Sequence, residues 1–301
     1  MRQTSKRARR SRGLMILIFM LLTALVLWGL AALLSRLFHY GANATVSAKD
    51  YEQLTPVEPS VVDETEEIPQ NTYDPSCFYM DGGFLHYESD TVTSQIGIDV
   101  SAHQQEIDWQ TVADSGIDFA FIRAGYRGYG KGGIVEDDRF RQNAAGARAA
   151  GLRVGLYFFS QAITPEEAAE EAQWLVDAAQ DFKIDMPLVF DWENIDPSSV
   201  ASGDTVRTAE MTGEDVTACA VAFCAAVEAA GYDAAVYGNR WQGYYDYDFT
   251  QLKDYAFWVS APGTADDFYY AHDFWQYSYR GPVPGITGHV DRDLWFVPIT
   301  T

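Results

Sequence analysis

Two carboxylates two residues apart carry the first chemistry in this chain: Asp191-Trp-Glu193, closing the run Met186-Pro-Leu-Val-Phe-Asp-Trp-Glu193. Alternate side chains of an extended strand share a face. Leu188, Phe190 and Trp192 then take one face, and Val189, Asp191 and Glu193 the other. Acids at i and i+2 lie roughly 6–7 Å apart. Low-dielectric walls around such a pair raise one carboxyl pKa, which makes a general acid at neutral pH beside an ionised partner. A random Asp-x-Glu is usually a solvated cap. An acid that ends a buried-strand pattern needs partners instead. Asp99 opposes Ile98 and Val100 in Gly97-Ile-Asp-Val-Ser101 in the same way, and Asp291 sits at the last strand signal, near Val290.

Positioning these acids requires strands that end together. Strand signals fall at Gly97–Val100, Phe119–Arg123, Arg153–Phe159, Leu188–Asp191, Ala234–Tyr237, Phe257–Ser260, Phe274–Tyr277 and near Val290. Helical stretches lie between several of them: Trp109–Ser115, Asp137–Ala150, Pro165–Ala179 and Glu214–Ala230. Thr164-Pro165-Glu166-Glu167 is an N-cap signal, and Gly151 and Gly231 suit left-handed C-caps. The alternation predicts an α/β chain: an irregular (β/α) TIM-like barrel with short, irregular later connections. Bulky faces pack on the helices, and the acids point to the C-terminal mouth. First and last strands are neighbours in a closed barrel, so Asp99, Asp191, Glu193 and Asp291 converge on one cleft. Tyr157, Tyr237, Trp258 and Gln276 point into the same mouth from their strand ends, and Arg123 ends a strand on the inward face.

The matching stretches run in order through residues 96–301. They are Gly97–Ser101 with Ile107-Asp-Trp109, Phe119–Tyr126, Asp138-Arg-Phe140 with Asn143, Ala150–Phe159, Pro187–Glu193, Trp258-Val259, Trp275–Ser278 and Gly285–Asp291. On these residues the chain resembles glycoside hydrolase family 25, the Chalaropsis-type lysozymes or N-acetylmuramidases. The resemblance implies hydrolysis of the β-1,4 bond between N-acetylmuramic acid and N-acetylglucosamine, with peptidoglycan glycan strands as partner and neither metal nor cofactor. It assigns Glu193 as general acid and Asp191 as the group that orients the substrate's 2-acetamido nucleophile, with Asp99 and Asp291 tuning both. It also nominates Tyr126, which strand parity leaves open. Whether configuration is retained or inverted stays open, since the carboxylate spacing falls near both classes. Two rivals remain: a catalytically inactive glycan-binding barrel, and a hydrolase of another N-acetylhexosamine polymer such as chitin. Two departures stand out. Phe158 occupies a place where many members carry His, on a helix-facing parity, and Asp293 stands where Asn is common.

Composition adds a topology, and its acidity is an odd fit to an anionic wall polymer. The chain has 301 residues, 48% of them hydrophobic, and a formal net charge of −22. Binding nucleic acid through a basic face is therefore not expected. Seven Lys or Arg and no acid fall within residues 1–36, leaving 14 bases against 43 acids beyond. The uncharged run Gly13–Leu34 matches the roughly 20 residues that cross a bilayer. The expected organisation is a basic cytoplasmic N-terminus over 1–12, a transmembrane signal anchor over 13–35, an acidic proline-containing linker over 36–93 and the catalytic domain over 94–301, outside the membrane. Residues 77–87 suggest a hairpin around Asp81-Gly82-Gly83, free or docked on the next domain. Three cysteines, Cys77, Cys219 and Cys224, suggest no disulfide framework, and a monomer is expected.

Overall fold

A computed structural model of the chain describes residues 68–196, Val200 and 205–299. Its strands are β1 (Phe78–Asp81), β2 (Phe84–Tyr87), β3 (Val92–Val100), β4 (Phe119–Arg127), β5 (Ile134–Glu136), β6 (Arg153–Ser160), β7 (Leu188–Trp192), β8 (Ala234–Asn239), β9 (Ala256–Ser260), β10 (Phe274–Gly281) and β11 (Val290–Pro298). Its helices are α1 (Trp109–Asp114), α2 (Phe140–Ala149), α3 (Pro165–Ala179), α4 (Gly213–Ala229) and α5 (Phe249–Leu252). Local chemistry sets the helix ends. The Thr164 hydroxyl accepts from Glu167 N at 3.3 Å, and Thr212 forms a reciprocal capping box with Asp215. Just past α2 and α4, Gly151 and Gly231 adopt φ of +90° and +86°, which glycine reaches without steric cost.

The order β3-β11-β10-β9-β8-β7-β6-β4 closes on itself through a β3–β4 pairing, and β5 extends β4 as a short antiparallel flap. An eight-stranded α/β barrel results. Its strands are parallel except β11, which runs antiparallel to both β10 and β3. This departs from the parallel sheet that strand-helix alternation predicts. The connection over 282–289 is too short for a crossover, and a parallel return needs a dozen residues or more. The antiparallel direction brings the start of β11 to the mouth, so Asp291 lies directly across from Asp99 in the β11–β3 register.

Period two holds around the barrel. Inward-facing Phe119, Phe121, Val189, Ala235, Trp258 and Phe274 belong to one buried apolar cluster. Outward-facing Leu188, Phe190 and Trp192 belong to a second, with helix residues such as Leu175 and Phe223. Phe158 also faces outward, edge-on to Trp174 at 5.6 Å. Gly97 and Gly155 admit the interior rings, because an added Cβ would collide with Phe119 and Phe121 respectively.

Between β9, β10 and β11 no helix lies outside the barrel among the described residues. Residues 68–91 cover that face instead. Gly82 and Gly83, at φ +56° and +89°, form the tight turn joining β1 to β2. Tyr73 stacks on Phe296 with centroids 3.7 Å apart, and Phe78 meets Trp275 edge-on at 5.4 Å. Leu85 N donates to the Tyr277 hydroxyl at 3.4 Å, and Arg292 Nη1 to Gly83 O at 3.0 Å. Ile68, Phe84, Leu85 and Tyr87 are buried. The linker expected over 36–93 is thus corrected at its C-terminal end: residues 68–91 are docked, and the boundary set at 94 falls inside β3. Apolar burial decides this, since β10 and β11 present aromatic outer faces that, among the described residues, this segment covers. The anchor expected at 13–35, the basic N-terminus and residues 36–67 lie outside the described residues. Among the described residues no helix is long and apolar enough to cross a membrane.

Candidate active site

A cleft of roughly 330 Å³ opens at the C-terminal mouth of the barrel. Strand alternation delivers its acids. Asp99 is the penultimate residue of β3, Asp191 lies in β7, Glu193 follows β7 directly, and Asp291 begins the mouth end of β11. All four line the cleft, as do Arg123, Tyr157, Tyr237, Trp258 and Gln276. Tyr126 does not. A register irregularity after Arg123 sets it to one side, packed with Tyr129, Phe159, Ile195 and Val206. The Arg123 guanidinium lies over its ring, 5.6 Å from the centre, so Tyr126 contacts the arginine rather than the cleft.

Hydrogen bonds fix the walls. Gln276 Nε2 donates to Asp99 Oδ2 at 2.7 Å, and the Tyr237 hydroxyl to Gln276 Oε1 at 3.1 Å. The turn that presents Glu193 is held through its backbone. Gln161 Nε2 donates to Glu193 O at 3.1 Å, Thr208 Oγ1 to Gln161 Oε1 at 3.0 Å, and Gln242 Nε2 to Trp192 O. Asp191 Oδ1 is buried and has no hydrogen-bond partner among the described residues. A buried carboxylate oxygen with no donor is costly, and this one belongs to the cleft-lining set.

Charge is crowded here. Burial, then the charge of Asp99, pushes the Glu193 carboxyl up to about 7, with Arg123 pulling the other way. Burial, then Glu193 and Asp99, holds Asp191 well above the usual carboxylate range. Burial raises Asp99 to about 6 against the stabilising bond from Gln276. Asp291 is raised by burial and by Asp99 and Glu193. The phenols of Tyr157 and Tyr237 are driven up, chiefly by burial, and stay protonated donors. Arg123 is the cleft's cation, and its charge is already engaged. Its Nε and Nη2 both reach Asp137 Oδ2 at 2.8 Å, and Asp137 also accepts from Ala102 N and Arg139 N. The four carboxyls therefore cannot all ionise at neutral pH. One protonated acid beside carboxylates, floored by apolar rings, suits proton donation to a leaving oxygen.

Asp137, Gln161 and Gln242 were not legible as site residues, because each acts across a long sequence separation. Asp293 was legible in principle: two residues after Asp291, it shares that residue's face. It is fully buried, and its Oδ1 accepts from Trp258 Nε1 at 2.9 Å.

Comparison with known proteins agrees with the barrel. The family model described as Glycosyl hydrolases family 25 matches residues 98–286. Lysozyme M1 of Streptomyces globisporus is 29% identical over 205 residues, covering 65% of this chain and 66% of that protein. The bacterial lysozyme from Streptomyces coelicolor superposes with a TM-score of 0.50 at 27% identity, covering 67% of this chain and 91% of that one. The modular autolysin LytC from Streptococcus pneumoniae, solved in complex with a synthetic peptidoglycan ligand, gives a TM-score of 0.60 at 22% identity, over 72% of this chain and 52% of that one. The chain thus spans about two thirds of Lysozyme M1 and about half of LytC.

Proposed function

The chain belongs to glycosyl hydrolases family 25, and from that premise we propose that it is a lysozyme that cleaves the β-1,4 bond between N-acetylmuramic acid and N-acetylglucosamine in peptidoglycan. The observation that carries the reading is Glu193. Burial and the charge of Asp99 push its carboxyl in the cleft up to about 7, so a protonated fraction persists at neutral pH where a glycosidic oxygen can take the proton. The 2-acetamido carbonyl oxygen of muramic acid attacks the anomeric carbon as that bond to oxygen breaks. The leaving sugar departs with the proton of Glu193. Asp191, through its unpartnered Oδ1, accepts from the acetamido N–H; its charged form, opposed by burial, Glu193 and Asp99 and favoured by Arg123, is the form that steadies the positive oxazolinium-like ring as Glu193 gives up its proton. Water then attacks the anomeric carbon, losing its proton to the Glu193 carboxylate, and the ring reopens with configuration retained. Such substrate assistance is one of the recognised departures from the two-carboxylate scheme. Asp99 favours the protonated form of Glu193 by repulsion, and Asp291 lies directly across from Asp99. Tyr157, Tyr237, Trp258, Gln276 and Arg123 supply faces and donors for the sugar. Tyr126 contributes through Arg123.

The same reading places the barrel outside the cytoplasmic membrane, held by the apolar run at 13–35 behind its arginine-rich head. With residues 68–91 docked, 36–67 connect that run to the barrel. The reach expected from their composition is roughly 30 Å, which confines hydrolysis to wall near the membrane.

The test is digestion of purified peptidoglycan by the full chain and by Glu193→Gln. Wild type should release fragments whose new reducing ends are muramic acid, and the variant should lose about 10²–10⁴ in rate. Reducing ends on glucosamine would remove the bond assignment. A Glu193→Gln protein as fast as wild type would remove the acid, and wild type with no release would leave a glycan-binding barrel. Inversion of the product anomer, read by NMR, would replace acetamido assistance with direct attack by water.

A further inference from the structure

Asp293 is a fifth carboxyl under the cleft floor, and its surroundings decide its charge. It lies on β11 opposite Gly97 of β3 and Gln276 of β10, with no exposed surface. Its Oδ1 accepts from the neutral indole of Trp258 on β9 at 2.9 Å. Its buried Oδ2 meets no N–H or O–H donor among the described residues. In the antiparallel β11–β3 pair Asp99 stands two residues beyond Gly97, diagonally across from Asp293, and after burial its charge acts most strongly on Asp293. Two carboxylate oxygens only accept and cannot bond to each other, whereas a protonated carboxyl can donate, and a buried carboxylate oxygen with no donor is costly.

The two acids are not equivalent. Asp99 retains a little exposure at the cleft and accepts from the Gln276 amide at 2.7 Å. Asp293 is sealed, and the charges near it are like charges: Asp99 from β3 and Asp291 on its own strand. From β10 it meets the Gln276 amide in register and, nearby, the phenol of Tyr277. Beside it, Phe274 and Trp295 stack at 5.6 Å. Among the described residues no cation compensates. The guanidinium of Arg292, next in sequence, faces the outer cover, donating to Gly83 O and Pro282 O, and Arg123 on β4 is bound to Asp137.

We propose that Asp293 is held as a neutral acid that donates its Oδ2 proton to Asp99, a positioning residue that fixes the Asp99 carboxylate at the cleft. Burial and the repulsion of Asp99 and Asp291 raise its pKa well above the usual range, which agrees with this assignment. Asp99 thereby receives two donors, Gln276 and Asp293, and both favour its charged form. That charge is the first neighbour that keeps Glu193 protonated. The chain of influence runs from Trp258 through Asp293 and Asp99 to Glu193. Its catalytic consequence rests on the proposed function, but the protonation state does not.

Asp293→Asn separates the two. An asparagine offers Trp258 the same carbonyl oxygen and Asp99 an N–H in place of the O–H. Folded Asp293 keeps its proton well above the ordinary Asp pKa of about 3.9, while the unfolded chain releases it. The native state then binds more protons than the unfolded one, and stability falls as pH rises through that window. Removing the group lifts this penalty. The melting temperature of Asp293→Asn should exceed wild type at pH 8, with the difference closing towards pH 4. Infrared difference spectra of wild type minus Asp293→Asn at pH 7 should show a protonated-carboxyl C=O band in wild type. Asp293→Ala, which loses donor and acceptor, should drop peptidoglycan turnover about 10²-fold by letting the site misalign, and the asparagine should recover most of that loss. A lower melting temperature for Asp293→Asn at pH 8, or no protonated band lost, would overturn the neutral acid whatever the enzyme's substrate. Recovery failing in a folded asparagine variant, with the band present, would overturn the positioning role alone.

Discussion

Replacing Tyr87 with alanine tests whether residues 68–91 are part of the barrel or an appendage to it. The Tyr87 side chain is buried, 3% exposed. Its ring meets Phe78 edge-on at 4.8 Å, and Tyr73 and Phe296 at 5.5 Å each. Its hydroxyl accepts from Asp74 N at 3.1 Å. Truncating a buried aromatic of this size costs about 3–5 kcal/mol, of which the hydroxyl accounts for about 1 kcal/mol. For a domain of this size each kcal/mol moves the melting temperature by about 2–4 °C. Tyr87→Ala should therefore melt about 6–20 °C below wild type, and Tyr87→Phe about 2–4 °C below. Thermal unfolding followed by near-ultraviolet circular dichroism reads both shifts. It should show a single transition, because the segment covers β10 and β11, which also carry Gln276 and Asp291. Turnover well below the transition should stay near that of wild type, since Tyr87 lies on the outer face. A shift under about 2 °C for Tyr87→Ala, or a separate early transition with the barrel unmoved, would refute the idea that this cover belongs to the cooperative unit.

The raised acids predict a narrow pH optimum. Turnover should fall as pH rises through about 7, where Glu193 loses its proton, and as pH drops through about 6, where Asp99 gains one. A pH–rate profile of kcat/KM reports these as macroscopic values of the coupled group, and a plateau from pH 5 to 9 would contradict them. Asp137→Asn should free the Arg123 guanidinium towards Asp191 and Glu193, whose pKa values it already pulls down. The alkaline limb should then shift to lower pH, and a buried charge without its partner should lower stability by about 3–5 kcal/mol; an unmoved limb would mean that Arg123 stays where it is. The strongly acidic chain, at −22, repels an anionic wall polymer, so moderate salt should raise the hydrolysis rate by screening. Inhibition from the lowest ionic strength upward, in a turbidity assay, would remove repulsion as a factor.

Much of the site was readable before any fold was known, because strand parity is a property of neighbouring residues. Leu188, Phe190 and Trp192 against Asp191 and Glu193 needed only alternation, and the structure puts the first set among the helices and the acids at the mouth. Helix ends were legible for the same reason, since Thr164, Gly151 and Gly231 act within one turn of chain. Closure also made Asp99 and Asp291 neighbours on strand order alone. Only the tertiary structure decided what depends on partners far away in sequence. The direction of β11 follows from how far the chain must travel from β10. The partner of Arg123 is Asp137 rather than one of the four cleft acids, and the register slip after Arg123 carries Tyr126 out of the cleft. The aromatic outer face of β10 and β11 captures residues that read as linker by composition. The neutral state proposed for Asp293 rests on its burial and on there being no cation near it among the described residues. Sequence states which groups exist and which way a strand turns them, while the field each group feels is set by chain closure.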